Sequence, residues 1–295
     1  MRLIQGSRLN PQLLVLCRKY GIDAQDSISP QELNSQLQQK WFKEGYLRYQ
    51  ISGDPPKDYD LALLEKLGFI EEIRPTPTWD SAMYIDPPSY ATYNYEDALL
   101  LGALRARVVS RLHHLTIIAH EIKFPQEWKT YLFGGARPLD PVKESCEVLC
   151  TPAELPFKEE WTPPEQMPTT EAEMMELVWQ QSQFTFAPEY KSVHYELVNT
   201  PLQPKDPKNP EGEKRSPNTG DTMKEWITKC KPVPGHYLAI SNQPFVEYQE
   251  LTLQRLAPEG FTIHACGPRS SLSLPLATYL DNIAKQLYEE LQVNK

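Results

Sequence analysis

Apolar residues recur along this chain with two different spacings, and the spacing changes near residue 96. Before that point they recur every three or four positions, which predicts amphipathic helices from Pro11 to Tyr20, from Ser29 to about Tyr46, and from Asp58 or Asp60 onward. After it, short continuous apolar runs alternate with helical stripes. Short continuous runs are typical of strands that are buried on both faces of a parallel sheet.

Five such strands are predicted, each with a helix after it. The strands are Asp97 to Gly102, Thr130 to Phe133, Val193 to Val198, Tyr237 to Ile240 and Phe261 to Gly267. The helices are Ala103 to His120, Asp140 to Cys150, one from Thr170, Met223 to Cys230, Phe245 to Leu256 and Ser273 to Leu291. This alternation predicts an α/β fold that is Rossmann-like and doubly wound, with a mainly parallel sheet of about five strands.

The change of pattern also predicts two domains. Residues 1–92 are interpreted as an N-terminal helical accessory segment, which extends the fold without belonging to the sheet. Residues 93–295 form the Rossmann-like domain, and the proline- and acid-rich stretch 151–168 is interpreted as an insertion loop within it.

Charge and cysteine content exclude several functional classes. The net charge of −9 disfavours nucleic acid as a partner, because phosphate binding needs a basic surface. No apolar run approaches the roughly 20 residues of a membrane span, and the start lacks a signal-peptide pattern, so we expect a cytoplasmic protein. The five cysteines contain no Cys-x-x-Cys pair and no zinc spacing, so no metal is expected.

The candidate site lies in the loops that follow the predicted strands, because parallel strands end at one edge of a sheet and ligands bind there. Glycines allow close approach, arginines bind anions, and a helix start offers free N–H groups. The candidate ligand-binding residues are Gly102, Gly134, Gly135, Arg137, Glu171, Arg215, Asn218, Thr219, Asp221, Ser241, Asn242 and Gln243. We expect a small anionic ligand between the loop Gly134 to Arg137 and the helix start at Asn218-Thr219.

The order of the motifs resembles that of the bacterial SanA/YdcF/ElyC-like domain of unknown function, over about residues 96 to 268. The matching segments are Asp97 to Gly102 with Arg111-Leu112, Phe133 to Gly135, Thr170 to Glu173, Ser216 to Thr222, and Ile240 to Asn242. The resemblance implies a Rossmann-like fold, an envelope-related role, and an adenosyl-type ligand such as S-adenosylmethionine, or a nucleotide. The His and Arg that follow the family's last motif are replaced here by the segment Gln243 to Gln249.

Two classes of function remain open at this point. One is an enzyme, a transferase or a hydrolase, in which Ser241 is a nucleophile or Glu171 and Asp221 act as general acid and base or hold a metal. The other is a non-catalytic module that binds a ligand or a protein and has lost the family's His and Arg. The sequence identifies neither a catalytic residue nor an oligomeric state.

Overall fold

The computed structural model of the chain describes residues 2–6, 8–42, 53–75 and 94–293. The strands are β1 (Ile4–Gln5), β2 (Arg8–Leu9), β3 (Asp97–Leu101), β4 (Glu127–Gly135), β5 (Ser192–Thr200), β6 (Gln203–Pro204), β7 (Lys214–Arg215), β8 (Gly235–Ile240) and β9 (Phe261–Cys266). The helices are α1 (Pro11–Lys19), α2 (Pro30–Lys40), α3 (Asp58–Lys66), α4 (Arg105–Ile118), α5 (Cys146–Leu149), α6 (Glu171–Gln181), α7 (Thr219–Cys230), α8 (Val246–Leu256) and α9 (Leu276–Val293).

The chain divides into two compact units, which we describe separately. Unit 1 comprises Met1–Ile73, Asn242–Arg255 and Pro268–Lys295, and unit 2 comprises Arg74–Ser241 and Leu256–Gly267. Unit 1 therefore contains the last helix, α9, together with the helices of the N-terminal segment. The predicted domain boundary at residue 92 lies outside the described residues and stays a prediction.

The core of unit 1 forms around α9. Leu280, Ile283 and Leu287 make an apolar stripe on this helix and are fully buried with residues of α1 and α2, such as Leu13 and Leu33. A carboxylate of the same helix also holds the start of the chain: the N–H groups of residues 3 and 4 donate to Glu290 Oε1 and Oε2 over 2.9 and 2.8 Å. None of the helices in the described ranges is long and apolar enough to cross a membrane.

Unit 2 contains a five-stranded, all-parallel sheet in the order β5-β4-β3-β8-β9, which confirms the predicted fold class. Along the sequence, the first strand of this sheet is the central one, β3. The next two, β4 and β5, lie on one side of it, and β8 and β9 lie on the other side. The point where this order reverses lies between β3 and β8. In open α/β sheets, ligands bind beyond the carboxyl ends of the strands near such a reversal.

Helices cover both faces of this sheet. Successive side chains of each strand point to opposite faces, so each strand contributes apolar side chains to both layers of helices. On one face, Leu100 and Leu132 pack with apolar residues of α4 and α6. On the other, Trp226 of α7 lies edge-on to the rings of Tyr131 and Tyr237, with ring centroids 5.5 and 4.9 Å apart. The continuous apolar runs in the sequence follow from this burial on both faces.

The predicted helix from Asp140 to Cys150 is wrong over most of its length. Asp140 Oδ1 accepts the N–H groups of Val142 and Lys143, at 2.9 and 2.8 Å, and this folds the segment into a turn. A helix begins only after a second cap at Ser145 and contains four residues, α5. The predicted insertion 151–168 contains no helix and no extended strand, apart from an isolated bridge between Phe157 and Ser182.

Candidate functional site

Two of the predicted glycines lie where the first turn of α6 meets the ends of β3 and β4. A Cβ at Gly102 would lie 2.6 Å from the carbonyl oxygen of Phe133 and 3.0 Å from Cδ of Glu171. A Cβ at Gly134 would lie 2.6 Å from the Cα of Ala172. These positions therefore need glycine because neighbouring chain atoms approach closely, and one of those atoms belongs to the candidate carboxylate Glu171.

Glu171 is held at the carboxyl end of β3 by the cap of α6. Thr170 and Glu173 form the capping box that the sequence predicted, and the N–H of Glu171 donates to the carbonyl of Arg137 over 2.9 Å. Its Oε1 accepts a hydrogen bond from Arg137 Nε at 3.4 Å. Its Oε2 accepts none within the described part of the chain. Burial raises the pKa of Glu171, while the positive charges of Arg137 and Arg111 oppose that shift.

A second carboxylate, Glu144, lies at the first turn of α4. Its side chain is fully buried. Arg137 donates to both of its oxygens, over 2.9 and 3.0 Å. The N–H groups of Arg105 and Asp140 donate to it as well, over 3.1 and 2.8 Å. Glu144 thus accepts four hydrogen bonds, one of them from the first residue of a 14-residue helix.

Two further arginines are buried at the same end of the sheet. Arg111, which is 2% exposed, donates from Nη1 to the carbonyls of Leu101 and Gly102, over 2.7 and 2.8 Å. Arg105 is 4% exposed and donates from Nη2 to the carbonyl of Thr151. Among the described residues, its buried Nε has no acceptor and its guanidinium has no carboxylate partner. Burial lowers the pKa of Arg105.

We call Arg105, Arg111, Arg137, Glu144 and Glu171 the edge cluster. It contains three guanidinium groups and two carboxylates, so it has one positive charge in surplus when both glutamates are ionised. Protonation of Glu171, which burial favours, would increase that surplus. Guanidinium groups keep their proton at any ordinary pH, so the surplus persists.

The second half of the predicted site lies at the start of α7. Asn218 caps this helix, and its partner in the capping box is Asp221. Arg215 donates to both oxygens of Asp221, over 2.6 and 3.2 Å, so these two charges balance each other. Thr219 is the first residue of α7.

The structure does bring the predicted glycine loop and this helix start together. A Cβ at Gly135 would collide with the ring of Pro217, so the two loops pack directly on each other at that point. The expected position of a ligand between them stays a prediction.

The loop after β8 is divided between the two units. Ser241 is the last residue of this segment in unit 2, is fully buried, and donates its N–H to the carbonyl of Cys266 over 2.8 Å. Asn242 and Gln243 belong to unit 1. There the side-chain amide of Gln243 donates to the carbonyls of Gly68 and Glu71, over 2.8 and 2.9 Å.

Comparison of the chain with protein-family models, curated proteins and solved structures found no match. The resemblance to the SanA/YdcF/ElyC-like domain therefore stays a prediction. Within the described ranges, no three His, Cys, Asp or Glu side chains are grouped so that they could hold a metal ion.

Three members of the edge cluster were absent from the predicted set: Arg105, Arg111 and Glu144. Arg111 was noticed only as part of a family motif. Arg105 could have been found by its place, since it begins the helix that follows the first strand of the sheet. Glu144 gave no usable signal, because the predicted helix from Asp140 would have turned it in a different direction.

The edge cluster has the chemical means to bind an anion and to exchange a proton. Guanidinium groups and the N–H groups of a helix start are donors that suit phosphates and carboxylates. A carboxyl such as Glu171, whose pKa is raised by burial and whose Oε2 accepts no hydrogen bond among the described residues, can donate or accept a proton.

Proposed function

We propose that unit 2 binds a small anionic ligand at the carboxyl ends of β3 and β4. The observation that carries the proposal is Arg105: the residue is 4% exposed, its buried Nε has no acceptor, and its guanidinium has no carboxylate partner among the described residues. An ionised group buried without a counter-charge costs several kcal/mol of folding free energy. A counter-charge that arrives with a ligand would offset that cost.

The position and chemistry of the cluster restrict the ligand class. It lies beside the reversal of strand order, and its arginines suit the paired oxygens of a phosphate or a carboxylate. A nucleotide carries the first group and S-adenosylmethionine the second, which agrees with the ligand implied by the SanA/YdcF/ElyC-like resemblance. A cytoplasmic protein that acts on a metabolite of this kind is the form of the proposal that fits the acidic composition.

A catalytic role is the second candidate, and Glu171 is the observation that favours it. Its raised pKa and its Oε2, which accepts no hydrogen bond among the described residues, suit a general acid or base next to a bound ligand. In that case the protein is a transferase or a hydrolase. A module that only binds its ligand would use the same arginines and would not need this carboxyl to titrate.

Thermal unfolding with a panel of anions tests the binding proposal. The panel is inorganic phosphate, AMP, ATP, glucose 6-phosphate and S-adenosylmethionine, each compared with sodium chloride at equal ionic strength. A compound at one hundred times its dissociation constant stabilises the folded chain by about 2.7 kcal/mol, which raises the melting temperature by several degrees. We expect at least one compound to do so.

Matched variants connect that shift to the site. Arg105→Met keeps the aliphatic stem and removes the charge, whereas Lys143→Ala removes an exposed cation from a nearby turn. The shift should persist in Lys143→Ala and disappear in Arg105→Met. A panel without any shift, or an equal shift in both variants, would refute the proposal. Glu171→Gln then separates the two candidates, because an enzyme would lose turnover while it still binds the ligand.

A further inference from the structure

The surroundings of Glu144 are those of a bound ligand anion rather than of an ordinary surface glutamate. Its carboxylate receives both Nη atoms of Arg137, the N–H that begins α4, and the N–H of Asp140. A bidentate arginine combined with a helix start is the donor set that proteins present to phosphates and carboxylates. In this chain, a side chain of the chain itself occupies that donor set.

The segment that carries Glu144 has few other attachments. From Asp140 to Glu147, only Glu144 is buried, and Val142 is 77% exposed. The turn that precedes it is closed by Asp140 alone, whose side chain accepts the next two N–H groups. The carboxylate of Glu144 could therefore leave without removing an apolar side chain from the core.

A separate observation concerns Arg105, the residue that begins α4. Its Nη2 donates to the carbonyl of Thr151, and its buried Nε has no acceptor among the described residues. If Glu144 moved away, the first N–H of α4 would lose its acceptor, and Arg137 would lose the carboxylate that it binds with two nitrogens while it keeps its contact with Glu171. Arg137 and the helix start could then donate to one phosphate or carboxylate in place of Glu144.

We propose that Glu144 is a built-in competitor for the site. Its carboxylate occupies the subsite of the ligand's anionic group, and that group binds only when Glu144 leaves Arg137 and the first turn of α4. This inference rests on the proposed binding function and adds its regulation. Without a ligand, the turn from Asp140 to Glu144 closes the site, and it opens when the anionic group of a ligand replaces the carboxylate of Glu144.

Phosphate binding to Glu144 variants tests this competition. Inorganic phosphate is titrated by calorimetry into the wild-type chain, Glu144→Ala and Glu147→Ala, where Glu147 is an exposed glutamate three residues away. We expect phosphate to bind Glu144→Ala at least tenfold more tightly than it binds the wild-type chain, and Glu147→Ala to behave like the wild type. Adding Arg137→Ala to Glu144→Ala should abolish the gain.

Melting curves cover the case in which Glu144→Ala is too unstable for calorimetry. Phosphate or acetate should then restore its folding, whereas chloride at equal ionic strength should not, because only the first two replace the missing carboxylate. A folded Glu144→Ala with phosphate affinity within twofold of the wild type would overturn the inference, and so would an unfolded variant that neither anion restores.

The two proposals can fail separately. A gain in Glu144→Ala without any response of the wild-type chain to the anion panel would support the competitor and refute the binding function. A wild-type response that depends on Arg105, without tighter phosphate binding in Glu144→Ala, would support the binding function and refute the competitor.

Discussion

The two ends of the parallel sheet in unit 2 carry surplus charges of opposite sign. At the carboxyl end, the edge cluster contains three guanidinium groups and two carboxylates. At the amino end of β3, Asp97 and Glu196 lie around a single cation, Lys129, whose N–H donates to Asp97 over 2.7 Å and whose Nζ donates to Glu196 over 2.9 Å. Both clusters are partly buried, and each lacks one counter-charge among these groups.

The difference shows that a protein can remove a surplus of negative charge by protonation, but not a surplus of guanidinium charge. A carboxyl can take up a proton, and burial raises the pKa of Asp97 to about 6, so the charges of Asp97, Glu196 and Lys129 sum to zero on mild acidification. A guanidinium cannot release its proton at any ordinary pH. The positive surplus of the edge cluster therefore persists at any ordinary pH, and under our proposal an anionic ligand offsets it.

The largest expected effect comes from removing a carboxylate at the carboxyl end. Glu144→Ala removes the buried carboxylate that Arg137 binds with two nitrogens and leaves the start of α4 without its acceptor, so we expect a loss of about 3–5 kcal/mol of unfolding free energy. Urea unfolding in chloride buffer measures it. Glu147→Ala is the control and should change stability by less than about 0.5 kcal/mol. Equal stabilities of the two variants would show that the edge cluster does not depend on Glu144.

A smaller effect, with a characteristic pH dependence, is expected at Glu171. Because its folded-state pKa is raised, its contribution to stability is complete at acid pH and is lost as the pH rises through that pKa. Glutamine does not titrate, so the stability of Glu171→Gln should increase relative to that of the wild type as the pH rises from acid to neutral. Melting temperatures from pH 4 to pH 8 provide the test.

The neighbouring Glu173 offers a control of opposite sign. The N–H of Thr169 and the other donors of the capping box lower the pKa of Glu173, so its contribution is present above the unfolded pKa and is lost on acidification. Relative to the wild type, Glu173→Gln should lose stability as the pH rises. Parallel pH profiles for the two variants would contradict the charge assignment of the edge cluster.

At the amino end, neutralising the surplus should stabilise the protein. Asp97→Asn retains an oxygen that accepts the N–H of Lys129 and removes one of the two carboxylates. Because the pKa of Asp97 is raised to about 6, the wild type loses stability from about pH 4 to about pH 6, and the variant does not. We expect a gain of about 1 kcal/mol above pH 7 and none at pH 4, measured by urea unfolding. A loss at pH 7 would mean that this end needs its negative charge.

The smallest effects are expected where the charges already balance, at the start of α7. Asn218→Ala removes a cap and should cost about 1 kcal/mol. Arg215→Ala breaks a partly exposed pair with Asp221 and should cost at most about 1 kcal/mol. Thermal unfolding of both variants checks these values. If Arg215→Ala also abolished the response to the anion panel, the predicted ligand position next to Asn218 would regain support.

The sequence predicted the sheet because burial on both faces leaves a direct pattern, such as the apolar run of β3. The chemistry at its edge left a weaker pattern. Gly102, Gly134 and Gly135 indicate close approach, but a glycine does not reveal what approaches, and here α6 and Pro217 do. Whether a ligand also lies near them stays a prediction.

The sequence pattern also did not predict which charged residues pair with each other, because the pairs depend on the local fold. Glu144 reaches Arg137 only because Asp140 closes a turn where helical propensity predicted a helix. The charge balance of a cluster depends on such contacts. A list of arginines and glutamates therefore did not separate Arg105, which has no carboxylate partner among the described residues, from Arg215, which has one.

The position of a bound anion tests the central claim most directly. Crystals of the wild-type chain and of Glu144→Ala can be soaked in sodium selenate, a phosphate-like anion whose selenium gives an anomalous signal. The account predicts a selenium peak whose oxygens lie within hydrogen-bond distance of the Arg105 guanidinium, about 2.7–3.2 Å, with higher occupancy in Glu144→Ala. Selenate peaks elsewhere, with none at Arg105 in either crystal, would contradict it.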